Sequence, residues 1–205
     1  MDELLAIEAG YAEFAKWLNH DSGDMSNATR WYDHAYEAAN AAGDERMSAF
    51  VLTRRAVQFV GEGDPYYAAK LARLAQRDES IVTARVRALA TQTEAIGHAM
   101  SGNHSETDRA LDTAAYLTEL GIGVRPDGDP SVGRYCEPGL YLKITNAKCQ
   151  LELGRAENAV SAFRDVLGSL PSSYHRDRGN YLARLAQTCA LAGEQLTPAS
   201  RSKNR

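Results

Sequence analysis

Leu4, Ile7, Tyr11, Phe14, Ala15 and Leu18 recur at steps of three and four, with a final step to Leu18, which is the period of one face of an α-helix. After Gly23 the same period returns through Ala28, Trp31, Tyr32, Ala35 and Ala38. The glycine between the two runs predicts a helix end, because a left-handed C-cap suits a residue without a Cβ. Asp24 or Ser26 is placed to cap the helix that follows. The stretch from Leu151 to Pro171, LELGRAENAVSAFRDVLGSLP, repeats this layout. In it Gly154 is followed by Ala159, Phe163 and Pro171, and the proline stops its helix.

That layout recurs along the chain. Gly63 is followed by Ala68, Ala72 and Ala75, and Gly102 by Thr107, Leu111 and Ala114; Gly193 begins a further copy. The longest interval between these glycines contains the glycine- and proline-rich stretch 121–139, which breaks a helix, so the regular unit is close to 40 residues. A pair of helices cannot bury its apolar face alone, whereas stacked pairs can. The expected fold is therefore all-α, an α-solenoid of helix pairs. The Gly, Ala, large apolar, Pro spacing matches the second half of the tetratricopeptide signature. Where first helices cross, a small residue is expected, and Ala56, Ala95, Ala147 and Ala186 provide it; the first unit has Lys16 instead. The tryptophan of the signature is missing and the period exceeds 34, so HEAT-like pairs are the alternative. The units fall at about 4–40, 44–78, 80–120, 137–171 and 176–197, with an insertion at 121–139 and a disordered tail at 198–205.

Composition narrows the function. The chain has 205 residues and a net charge of −4, and its one basic cluster is the terminal RSKNR. No concentrated positive field suits a phosphate backbone, so direct nucleic-acid binding is not expected. The N-terminus carries charges throughout and reads as neither signal peptide nor membrane span. Cys136, Cys149 and Cys189 are odd in number and lack metal-ligand spacing, which fits a reducing cytoplasm. No glycine-rich stretch ends in Gly-Lys-Ser/Thr, and the strands that a dinucleotide fold needs are missing. None of His20, His34, His98, His104 and His175 stands four residues from another. No cofactor or metal is expected. Cys149 and Cys189 read as core residues.

Counting back from each glycine sets one face of each first helix towards a shared concave groove. On it lie Glu13, Trp17 and His20; Phe50, with Arg54 at its edge; Gln92 and Ile96; Tyr141 and Lys148; and, in the last unit, Arg184 beside Asn180, Ala183 and Gln187. Aromatic area with a few polar groups suits a peptide, a partner protein or a small effector. Phe50 and Tyr141 suit packing between repeats equally well. The insertion reads either as a lid or as a surface loop. An enzyme is the second reading, with Glu13, His20, Gln92, Glu94 and Lys148 converging as an acid–base site. A dimerising scaffold, paired through the open end of the last unit, is the third.

The stretches YAEFAKWLNHDSGDMSNATRWYDHAYEAANAAGD, VRALATQTEAIGHAMSGN, LGRAENAVSAF and HRDRGNYLARLAQTCALAGE together resemble the tetratricopeptide half of a group of actinobacterial regulators. In that group a helix-turn-helix domain of the xenobiotic-response-element type precedes the array. The resemblance implies a sensing or interaction surface. No helix-turn-helix precedes Met1 here, so DNA binding is not carried over.

Overall fold

The computed structural model describes residues 2–123 and 138–193. Most of the insertion, Cys136 and the tail lie outside the described residues. Every regular element among the described residues is an α-helix: α1 (Asp2–Asp21), α2 (Met25–Ala41), α3 (Glu45–Glu62), α4 (Pro65–Leu74), α5 (Ala84–Met100), α6 (His104–Leu120), α7 (Pro138–Glu152), α8 (Ala156–Ser169) and α9 (His175–Ala192). The all-α class is as expected. No helix among them is long and apolar enough to cross a membrane.

Local chemistry sets the boundaries. Asp24, Asp44 and Asp64 accept from the backbone N–H groups of Asn27, Met47 and Tyr67, and so cap α2, α3 and α4. Pro65 opens α4, where its missing N–H has no partner to lose. Gly63 closes α3 at φ +79°, a left-handed conformation that a side chain would strain. The same hand is found at Gly23, Gly102, Gly154 and Gly193, as the repeat predicted, and also at Gly43, which the repeat did not single out.

Successive helices pack against one another from α1 to α9, and a second set of contacts joins α1 to α3, α3 to α5, and α5 to α7. The odd-numbered helices α1 to α7 thus form one continuous row, with the even-numbered helices against it. The residues that define the repeat spacing form the seam between the two. Ala28, Ala68, Ala72, Thr107, Ala114, Ala159, Phe163 and Val166 are all completely buried. The small residues expected at crossings behave accordingly: Ala56, Ala95 and Ala147 have no exposed surface, and Ala186 is half-buried. A further close approach lies between α4 and α5. A Cβ on Gly97 would stand 2.8 Å from the Pro65 carbonyl oxygen, so the absence of a side chain lets the two helices touch.

α1 departs from expectation. The face of Leu4, Ile7, Tyr11, Phe14 and Leu18 points outward, with exposures of 69, 52, 74, 54 and 48%. Its buried face is Ala9, Ala12 and Lys16. Apolar residues occupy both sides of this helix, so their period alone could not say which side packs inward.

Candidate functional site

The row of odd-numbered helices brings together most of the groove residues that the sequence singled out. On α1 and α3, Arg54 Nε donates to Glu13 Oε1 at 3.1 Å, and both side chains are largely buried. Lys16 lies beneath this pair. It stands where the later helices have Ala56, Ala95 and Ala147, and its Nζ donates to the Arg54 carbonyl oxygen at 3.4 Å. Burial first, and then the nearby Arg54 charge, push its amine from the usual lysine range down to about 8; Glu13 opposes the shift. His20, one turn on, is also held below its usual value, by burial and then by Lys16 and Arg54. A second chain of contacts runs along α3: Arg55 Nη1 donates to Gln58 Oε1, and Gln58 Nε2 donates to Glu62 Oε1 at 2.6 Å. The Arg55 guanidinium also lies 4.6 Å from the centre of the Tyr32 ring and 5.1 Å from that of Phe59.

The middle of the row is drier. Phe50, Gln92 and Ile96, expected as groove lining, are buried between helices, because the inner helices pack tightly enough to cover their whole width. Phe50 belongs to a core cluster with Val86 and Leu89, against which Tyr141 packs. Gln92 is 1% exposed, and its Oε1 accepts from Thr145 Oγ1 of α7 at 3.2 Å. Its Nε2 has no acceptor. A buried donor left unfilled costs about 1–3 kcal/mol. Gln92 is therefore the one expected groove residue that is both fully enclosed and incompletely bonded.

At the far end, Lys148 on α7 is half-buried, and its amine is lowered by burial and then by the charge of Arg184 on α9. Arg184 thus lies close enough for its charge to act on Lys148. Its neighbours Asn180, Ala183 and Gln187 are exposed, and α9 packs chiefly on α8 instead of extending the row. Trp17 is half-buried, stacked on Phe14 with ring centres 5.7 Å apart.

The acid–base set does not meet as one centre. Glu94 turns to α4, where its Oε1 accepts from Arg73 Nε at 2.8 Å and its Oε2 from Gln76 Nε2 at 3.2 Å. His98, one turn further along α5, approaches Glu94 to 3.4 Å. His98 borders an open cleft of about 540 Å³ between α4 and α5, with Tyr66, Lys70, Arg73 and Arg77 on its α4 side. With both oxygens of Glu94 engaged, the pair braces the two helices. The i, i+4 spacing of Glu94 and His98 was a visible signal for it. Cys149 and Cys189 are buried as expected of core residues, and burial pushes the Cys149 thiol up to about 12. No cluster of three metal-ligating side chains occurs among the described residues.

The residues that sequence reasoning missed are Lys16, Gln58 and Thr145. Lys16 carried a signal, since a lysine stood where every later unit has alanine. Comparison with protein-family models, with curated proteins and with solved structures finds no match.

Proposed function

We propose that the chain is a binding module of tetratricopeptide-like helix pairs whose inner row of helices receives an anionic, carbonyl-bearing ligand, either an acidic peptide or protein segment or a small carboxylate effector. The contacts joining α1, α3, α5 and α7 support the repeat-array reading. The resemblance to the sensory half of actinobacterial regulators points the same way. The reading places the chain among non-catalytic, ligand-sensing proteins of the cell interior.

The observation that carries the reading is the partly open Arg54 guanidinium on α3, set over the Lys16 amine of α1. Electrostatics support it. Although the chain is acidic overall, its inner row holds Lys16 near Arg54, and Lys148 near Arg184 of α9, and in each case the arginine charge adds to burial in lowering the lysine amine. An incoming anion relieves both repulsions, whereas a cation adds to them.

The test is a calorimetric titration with hexaglutamate and, separately, citrate. Binding of the first alone identifies a peptide segment as the ligand class; binding of the second alone identifies a small carboxylate. Arg54→Gln removes the partly open charge, and affinity falls about 10-fold. Binding of neither probe, or equal binding by Arg54→Gln, refutes the reading.

A further inference from the structure

The outward face of α1 has no role in the inner row. Leu4, Ile7, Tyr11, Phe14 and Leu18 alternate steps of three and four over most of the helix, and each is about half exposed or more. This is the seam of a coiled coil, where a second helix with the same spacing interdigitates.

We propose that α1 is a self-association helix, pairing antiparallel with α1 of a second copy through this stripe. Three observations select a second copy as the occupant. The stripe is self-complementary: about a two-fold axis, Ile7 opposes Leu18 and Tyr11 opposes Phe14, which is the isologous geometry of a closed dimer. Its exposed side chains amount to roughly 600 Å², close to the roughly 800 Å² per partner of a standard interface, and flanking residues make up the rest. Charge fixes the direction. Asp2 and Glu3 stand at the start of α1, while its end at Asp21 holds the exposed guanidinium of Arg176, bonded to Asp21 at 2.7 Å. Antiparallel pairing aligns the helix dipoles favourably, whereas parallel pairing would bring the two acidic starts together.

The full chain is examined by sedimentation equilibrium from about 1 to about 200 µM. The expected result is a rise from 22.4 kDa towards twice that mass. Tyr11→Glu, at a position 74% exposed, keeps the helical circular dichroism and weakens the dimer about 100-fold or more. A second measurement does not depend on that variant: with Ile7→Cys and Leu18→Cys in one chain, oxidation joins position 7 of one copy to position 18 of the other. Within one helix these positions are about 16 Å apart, beyond disulfide reach. A wild type that stays monomeric throughout leaves the stripe to another protein's helix or to residues 194–205, and overturns the proposal. So does a dimer unaffected by Tyr11→Glu, or the absence of the cross-link.

Discussion

Arg176 donates through Nη1 to both carboxylate oxygens of Asp21, at 2.7 and 2.8 Å, and so ties the start of α9 to the end of α1 across 155 residues of sequence. The start of α9 is thereby held against the end of α1. The Arg176 guanidinium holds the Asp21 carboxyl below the usual carboxylate range. The tie is therefore complete above that range and lost as pH falls through the lowered value. Both groups face solvent, so salt screens the pair and its removal leaves thermal stability nearly unchanged. Spin labels at the exposed Ser22 and Ser172 measure the effect: Arg176→Ala, or high salt, broadens and lengthens the distance distribution. An unchanged distribution shows that the packing of the helices alone sets the spacing.

Lys16 makes stability depend on pH. Its amine titrates near 8 in the folded chain and near 10.5 in the unfolded one. Between these values the unfolded state binds more protons, so stability rises with pH across that window, and below about 8 the full penalty of a buried charge remains. Lys16→Met removes the penalty and is expected to be more stable at pH 7 by up to about 3 kcal/mol. The difference between the two proteins shrinks as pH rises to 10. Tyr32, raised to about 12 by burial, titrates alike in both and cancels in the comparison. Urea unfolding of the pair at several pH values reads this directly; a constant difference contradicts it.

Gly97→Ala tests the contact of α4 with α5. The added methyl meets a backbone oxygen at 2.8 Å and the Ala69 Cβ at 3.1 Å, and neither can swing aside. A loss of about 1–3 kcal/mol is expected, measured by urea unfolding. Gly179→Ala, in α9 with open space around the added methyl, serves as the control and causes no loss.

Cys149 and Cys189 are enclosed and without exposed thiol surface. Both are expected to resist a thiol reagent in the native protein and to react on unfolding. Rapid native labelling of Cys149, located by mass spectrometry, would contradict its packing.

The helix ends and the closest helix contacts were legible because their determinants are local. Gly23, Gly63, Gly102, Gly154 and Gly193 end helices through backbone conformation alone, and Ala28, Ala159 and Phe163 are selected by how closely two helices approach. Gly43 escaped a reading based on the 40-residue unit, although Gly43–Asp44 repeats the glycine–aspartate step at Gly23–Asp24 and Gly63–Asp64. The site was legible only as a row of positions. Helical spacing placed Glu13, Arg54, Gln92 and Lys148 on neighbouring helices, but the depth of each depends on how far those helices close. Gln92 and Ile96 consequently lie inside the packing, while Arg54 and Trp17 stay partly open. The side of α1 that faces inward was hidden for the same reason: apolar residues on both faces give the same period.

The central claim is that the inner row accepts an anion beside Lys16 and Arg54. Its most direct measurement is proton exchange on binding, from calorimetry of hexaglutamate and citrate at pH 8 in buffers of different ionisation enthalpy. An anion bound there raises the lowered Lys16 amine, so the complex takes up a fraction of a proton at pH 8. Lys16→Met abolishes the uptake, and Arg54→Gln weakens binding about 10-fold. Binding without proton uptake, or with uptake that survives in Lys16→Met, places the anion elsewhere and contradicts the account.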